Sequence, residues 1–597
     1  MMLFQISLQR KDFQKDFLIL TFIMFTWALS ALSVNADSNI AATIPLQIDP
    51  GVRIRQQEEQ VRQKELRINT NPIKINDPEE DLKPESEADN EKNKPCIPIK
   101  NINIKIQRMK FVLNKLDWVH EYEGQCLTVN QITEIIQKIG KQFNDSDYFQ
   151  SQAYITPQNL SDGQLEIEIK PSTLERIEVT SYTKRNKPYK VQQGGKYSAL
   201  LWANFPTRKK QVLRFSDIEA GTDALNKVAS LDARMNAGPG SEGGKTILYL
   251  DLKEKDRFRG YAGFDNQGQD FTGIHRFSPS LQLDNVFRIG DTWSLSYVGN
   301  ADTDAIVAST SIPIYPKWTF NANYIYSNFL SFIEPQAINS NPTDVYGQYH
   351  SADVSITKSL YRRKDLQFYS SVGGSYKQSI REIGGIRLAD QNTRSLYTNL
   401  YGVKKYKSGQ ASFGSSLYWG TPFLGATVVN KGGRDDIPDG RFVKVEGFAN
   451  IYQRLPYSMF STSLTGQWAP QATLGTEHLV IGGMYSVRGY REAILNGEQG
   501  FLNRNELQLA LPQNKNKKIE FLRQRIVPLA FIDQGMISFA YNTDNQVQYI
   551  ASAGVGTRIN TKFLDLDLIF GFPFIEPARF DINRGGRLHF NVRFKAF

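Results

Sequence analysis

From about Phe258 to the last residue, some 340 positions pass without a convincing helical period, and alternation takes its place. Trp293, Leu295 and Tyr297 alternate with Thr292, Ser294 and Ser296. Trp318, Phe320, Ala322, Tyr324 and Tyr326 alternate mostly with Thr and Asn, and Leu564, Leu566, Leu568 and Phe570 alternate with Asp565 and Asp567. An aspartate on the second face of an apolar strand means that this face is wet, as in a water-filled barrel. After residue 31 no run approaches the roughly 20 apolar residues that a spanning helix needs. The chain nevertheless carries 36 Phe, 27 Tyr and 7 Trp against 5 His. These features leave open a membrane β-barrel, whose alternating strands hide from hydropathy. A soluble sandwich or propeller is the competing architecture. At roughly 21 residues per strand and turn the segment holds about sixteen strands, and closed bacterial barrels use even numbers.

Residues 1–36 read as an export signal. Arg10, Lys11 and Lys15 give a basic start, Phe17 to Ala31 is mostly apolar, and Val34-Asn35-Ala36 offers small residues for cleavage. A retained anchor is the alternative, and the short apolar stretch argues against it. Removing this segment takes three of 71 basic and two of 61 acidic residues, leaving 68 − 59 = +9. The basic residues are spread along the chain without a cluster interleaved with aromatics, so the excess points to a basic pore or surface rather than to nucleic acid. The two cysteines, Cys96 and Cys126, both follow the signal, and an oxidising compartment favours a disulfide between them. With no histidine or further cysteine nearby, a metal site is not expected there.

Asp49-Pro50-Gly51 opens a polar helix over 49–67, with Asp49 as cap and Pro50 at the first helical position. Arg53, Arg55, Glu58, Glu59 and Arg62 dominate it, and Val52, Ile54, Val61 and Leu66 make only a thin stripe. Such a helix either sits in solvent or lies within a polar lumen. Residues 68–95 read as a flexible linker. Two α/β units of about 80 residues each follow, a size sufficient for a small domain.

In the first unit, 96–171, Ile102, Ile104 and Ile106 alternate as a strand, and Thr128 with Gln131 forms a capping box. Ile132, Ile135, Ile136 and Ile139 share a helix face, and Leu165, Ile167 and Ile169 close the unit. In the second, 172–255, Ile177 and Val179 begin a strand, and Ser216 with Glu219 is expected to cap a helix carrying Leu225 and Val228. Leu248, Leu250 and Leu252 alternate at its end.

No catalytic constellation is apparent. Gly240 to Thr246 resembles a phosphate-binding loop, but position 239 is Pro where that pattern needs Gly, and a strand follows rather than a helix. It reads as a hairpin turn. Neither a G-x-S-x-G elbow nor an H-E-x-x-H helix occurs, so we expect no enzyme and no cofactor. What remains is Ile481 to Tyr490 and, later, Phe531-Ile532-Asp533-Gln534-Gly535. Arg488 beside Gly489 is a guanidinium on a tight turn, and Asp533 lies in an apolar strand. A bidentate pair between them would pin a loop to a barrel wall; by spacing alone, Arg488 in an exposed loop is the default.

Ser486-Val487-Arg488-Gly489-Tyr490 together with Phe531 to Gly535 resembles the signature pair of the outer-membrane transporters of two-partner secretion, in the superfamily of outer-membrane assembly proteins. Leu283 to Asp291, Gly497 to Gly500 and Arg504-Asn505-Glu506-Leu507 support it, as does the order of segments along the whole mature chain. The resemblance implies a plug helix at 49–67, two polypeptide-transport-associated (POTRA) domains at 96–171 and 172–255, and a sixteen-stranded barrel over 256–597. It places Val487, Arg488, Gly489 and Tyr490 on a loop folded into the lumen, against Phe531, Asp533 and Gly535 on the wall.

It further implies a periplasmic partner, a large secreted β-repeat protein recognised by its N-terminal secretion domain and exported unfolded without nucleotide hydrolysis. Outer-membrane lipid and the barrel-assembly machinery would be the other partners. A haemolysin, adhesin, haem scavenger or contact-dependent inhibition toxin would all fit as cargo. The runner-up is a factor that inserts other barrels; two POTRA domains rather than five favour secretion. One departure stands out. Leu588, Phe590, Val592 and Phe594 form one face of the last strand, and the terminal Phe597 falls on the opposite phase.

Overall fold

The computed structural model describes residues 96–596 apart from 107–115, 183–187, 192–194, 334–342, 364, 431–435, 511–519, 521–522, 524, 541–546 and 576–584. The expected signal, polar helix and linker, with Arg53, Arg55, Glu58, Glu59 and Arg62, lie outside the described residues, as does Phe597. Two small α/β units precede a closed barrel.

In the first unit Asn101–Ile106 pairs in parallel with Gln164–Lys170, which also pairs antiparallel with Gln152–Ile155. Helix Val129–Asp145 covers the sheet. Its N-terminus carries the expected box: Gln131 N donates to Thr128 Oγ1 at 3.3 Å, and Thr128 N donates to Gln131 Oε1 at 2.8 Å. Ile132, Ile135, Ile139 and Phe143 pack onto Leu165, Ile167 and Ile169 to make the core. The Cys96–Cys126 disulfide is formed, with Cα atoms 5.3 Å apart. It joins the strands Cys96–Pro98 and Cys126–Thr128, so it staples the point where the chain enters the unit.

The second unit has strand order Pro188–Val191, Thr173–Tyr182, Lys245–Glu254, Leu231–Pro239, backed by helices Ser198–Asn204 and Phe215–Asn226. Gly240 to Gly244 is the hairpin turn between the last two strands, closed by Gly240 N donating to Lys245 O at 2.8 Å. The expected Ser216–Glu219 cap is not formed. The helix starts two residues earlier, at Phe215 behind Arg214, with no side-chain cap. Asp147 of the first unit serves the helix end instead, accepting from Ser216 N at 2.7 Å and from Ser216 Oγ at 2.6 Å. A capping partner 69 residues away leaves no local spacing to read.

Sixteen antiparallel strands, from Phe258–Asp265 to Arg587–Lys595, close the barrel. Directly opposed residues share a face. The outward face carries Leu281, Leu295, Ile306, Val354, Leu400, Phe413 and Val555, all exposed, while Ser327, Ser351, Lys377, Thr393, Ser412 and Asp533 are buried within. That is the inverse of a water-soluble fold. It excludes the sandwich and propeller and fits lipid outside with a polar lumen. Asp565 and Asp567 share the inward face with the buried Ile569, opposite the outward Leu568 and Phe570, and Asp565 accepts from Lys595 Nζ at 2.6 Å. Strands Thr343–Arg363 and Ile386–Tyr406 are 21 residues long, about twice what a tilted bilayer crossing needs, so their hairpins stand proud of the membrane.

Candidate functional site

Between strands Ser458–Trp468 and Gln499–Leu509 the chain turns inward as a hairpin whose arms, Leu479–Ile481 and Leu495–Gly497, pair antiparallel. Its bend depends on Gly482 and Gly483, at φ +113° and +95°. A Cβ on Gly483 would meet Glu492 Oε2 at 1.6 Å, because the Glu492 carboxylate folds back to accept from Met484 N at 2.9 Å. Leu479, Ile481, Val487, Tyr490 and Leu495 are buried, so the hairpin is packed rather than suspended.

Arg488 is fully buried at the inner end of this hairpin. Its Nε donates to Asp533 Oδ2 at 2.6 Å and its Nη2 to Asp533 Oδ1 at 2.8 Å, the two-pronged geometry that only a guanidinium provides. Arg488 N donates to the same carboxylate at 3.2 Å, and Nη1 to Glu506 Oε2 at 2.6 Å. The guanidinium lies over the Phe531 ring, 3.7 Å from its centroid. Asp533 and Phe531, two residues apart, both face inward, while Ile532 between them is exposed to lipid.

The rest of the motif is fixed to other strands. His589 Nε2 donates to Arg488 O at 2.6 Å, Gly489 N donates to Ser552 Oγ at 3.0 Å, and Tyr490 Oη donates to Ala551 O at 2.8 Å. A Cβ on Gly489 would sit 2.5 Å from the Ser552 Cβ and 2.8 Å from Pro573 N, so only glycine permits this approach. Gly535 provides the matching recess: a Cβ there would press on Ile481 at 2.9 Å and Val487 at 3.3 Å. The structure thus brings together Val487, Arg488, Gly489, Tyr490, Phe531, Asp533 and Gly535.

Sequence reasoning singled out neither Glu506 nor Arg504, although both lie in the quoted Arg504-Asn505-Glu506-Leu507. Glu506 bridges Arg488 and Arg558, whose Nη2 donates to it at 3.0 Å. Arg504 donates to the carbonyls of Met484 and Tyr485 at 3.1 and 3.3 Å, capping the hairpin bend. Their alternation with Asn503 and Asn505 was the signal available, since residues two apart share the lumen face.

A second anchorage was missed entirely. Glu477, buried where the hairpin leaves the wall, accepts from Lys377 Nζ at 2.7 Å and Thr393 Oγ1 at 3.0 Å through one oxygen, and from Lys444 Nζ at 2.8 Å through the other. Lys444 also pairs with Glu446 at 2.9 Å. Arg488 ties the hairpin to one side of the barrel, and Glu477 ties it to the strands Leu366–Ile383, Ile386–Tyr406 and Val443–Leu455 on another. Nothing in the spacing of Lys377, Lys444 and Glu477 announces that they meet.

Residues 244–559 match the family model described as haemolysin secretion/activation protein ShlB/FhaC/HecB, and residues 97–172 match the ShlB-type POTRA domain. The chain belongs to this family. It is 26% identical over 504 residues to the outer membrane transporter CdiB of Dickeya dadantii, covering 82% of this chain and 85% of that one. It is 23% identical to the hemolysin transporter protein HpmB of Proteus mirabilis, covering 80% and 82%. The fold superposes on CdiB from Escherichia coli with a TM-score of 0.78 at 21% identity, covering 92% of this chain and all of the other. As a member of this family the chain is an outer-membrane transporter of two-partner secretion, with its POTRA region in the periplasm.

Proposed function

We propose that the second α/β unit acts as a POTRA domain beside the first, and that the two receive the N-terminal secretion domain of an unfolded partner protein. The partner then crosses the lumen to the cell surface. Among the described residues each sheet ends in strands with no further strand beside them, Asn101–Ile106 and Gln152–Ile155 in the first, Pro188–Val191 and Leu231–Pro239 in the second. Strand addition at such an edge binds an extended chain through its backbone, with little demand on sequence.

The observation that carries this reading is a closed barrel with a polar interior, crossed by a hairpin that is held by buried ion pairs. An ion pair can be exchanged for contacts with a passing polar chain, whereas a covalent or apolar plug cannot. Residues 49–67, polar all round, are suited to occupy such a lumen at rest and to leave it when cargo arrives. Folding of the cargo outside would bias passage outward without a nucleotide. No enzymatic step enters this account.

Secretion of a co-expressed partner by cells carrying the full chain tests the function; retention of the partner in the periplasm, with the barrel correctly inserted, would overturn it. Deleting residues 50–67 should raise single-channel conductance in planar bilayers. Unchanged conductance would remove the plug assignment and leave the pore.

A further inference from the structure

Helix Ser198–Asn204 of the second unit buries Leu200, Ala203 and Asn204 and leaves Trp202 54% exposed. Trp202 meets Tyr315 edge to face, with ring centroids 6.1 Å apart. Tyr315 is the Cα partner of Trp318 across the turn at Pro316 and Lys317, and Trp318 is in turn opposite Lys358. Opposed residues share a face, and here it is the outward one: Phe320 and Ile356 are opposed on it, and Ile356 and Leu360 are exposed. Trp202 therefore stands beneath the lipid-side rim of the barrel and not beneath the lumen.

A basic run lies beside it. The Arg208 guanidinium is 6.0 Å from the ring centroids of both Trp202 and Tyr315, and Nη2 donates to Trp202 O at 2.9 Å. Lys209 and Lys210 follow, both exposed. The nearby carboxylate of Asp217 is engaged by Thr207 at 2.9 Å and Lys317 at 2.8 Å. On the neighbouring barrel turn Phe287 is 61% exposed and packs on Trp293, and Asn204 Nδ2 ties that turn to the same helix through Ile289 O at 2.7 Å.

We propose that this crest docks the second unit onto the periplasmic leaflet. Trp202 and Phe287 extend the lower aromatic girdle of Trp293 and Trp318 off the barrel, and Arg208, Lys209 and Lys210 contact anionic phospholipid headgroups. The amphipathic rings of Trp and Tyr favour the headgroup level, Phe287 adds apolar surface beside them, and clustered Lys and Arg next to a membrane are drawn to anionic lipid. The crest is continuous with a surface that already faces lipid, and its net charge is complementary to that partner. Its consequence is mechanical: the unit is held against the membrane on the outer side, while the sheet edges that are open among the described residues stay available to cargo.

The test uses the full chain reconstituted in vesicles containing phosphatidylglycerol with brominated acyl chains. Wild-type tryptophan emission should be quenched more than that of Trp202→Phe, and the difference is the Trp202 component. That component should shrink in the triple variant Arg208→Glu, Lys209→Glu, Lys210→Glu, in high salt, and in vesicles of phosphatidylcholine alone, while heat-modifiable gel migration confirms an intact barrel. Equal quenching of wild type and Trp202→Phe would overturn the docking. So would a component indifferent to the triple reversal and to lipid charge. Unchanged quenching in the triple variant, together with lost binding of the partner's secretion domain, would assign the basic run to cargo and likewise overturn the proposal.

Discussion

Arg488 donates four hydrogen bonds to the carboxylates of Asp533 and Glu506. Removing one partner of a buried pair leaves the other charge without compensation, at a cost of about 3–5 kcal/mol. Asp533→Ala should therefore release the hairpin, seen as faster hydrogen exchange over residues 479–497, while the outer strands keep their protection. The paired reversal Arg488→Asp with Asp533→Arg should recover part of the export lost in each single variant. No rescue would argue that Glu506, which also holds Arg488 at 2.6 Å, decides the orientation. Glu477→Gln makes a separate prediction. It leaves Lys377 and Lys444 facing an uncharged amide, so the segment around 475–481 should loosen while the Arg488 end stays protected. Exchange that rises equally at both ends would show that the two anchorages are one cooperative unit.

Among the elements, the α/β units show how local patterns and distant contacts divide the work. The Thr128–Gln131 box was readable because both partners lie within one turn of helix. The Asp147 bond to Ser216 was not, because an aspartate in the preceding unit displaced a local cap of the right spelling. The disulfide closes a loop of separation 30, and the chain-entropy picture assigns such a loop about 3–4 kcal/mol. Cys96→Ser with Cys126→Ser should accordingly lower the unfolding temperature of the first unit and expose it to protease, with the barrel unaffected.

In the second unit, burial alone would raise the pKa of Glu254. The Tyr197 hydroxyl at 2.5 Å, the Lys196 ammonium at 3.0 Å and the nearby Arg257 outweigh it and hold the carboxyl below its ordinary value. A depressed carboxyl contributes stability above its unfolded pKa and loses it as the pH falls through the folded one. Acidification below about pH 4 should thus weaken this unit more in the wild type than in Glu254→Gln. An equal acid response in both would rule out the linkage.

For the whole molecule the question is how the periplasmic part is tied to the barrel. The second unit meets barrel turns through polar contacts: Arg362 with Asp223, Lys317 with Asp217 at 2.8 Å, and Ser230 N donating to Asp284 Oδ2 at 2.8 Å. Arg362 is buried and also donates to Tyr369 Oη at 2.8 Å, so it cannot simply turn to water. Asp223→Asn combined with Asp217→Asn should widen the distribution of distances between spin labels on the second unit and on the barrel rim, without changing the barrel's heat-modifiable migration. An unchanged distribution would place the orientation of the unit elsewhere, in the membrane contact of Trp202 or in Ser230 and Asp284.

The barrel and the two-unit plan were legible in the chain because both rest on short periods. Alternation of two reports a wet and a greasy face wherever it is sustained, whatever the neighbouring strands are. The Arg488 and Asp533 motifs were legible as separate marks, and spacing alone did not join them. The family resemblance joined Arg488 to Asp533, but the other contacts across the lumen lay beyond the sequence: Glu477 with Lys377 and Lys444, Glu506 between Arg488 and Arg558, and Gly535 as the recess for Val487. Those contacts depend on which strands face one another once sixteen of them close into a ring, and that register is set by the hydrogen-bonded ladder as a whole. Period is a property of neighbours along the chain, and closure is a property of the finished wall.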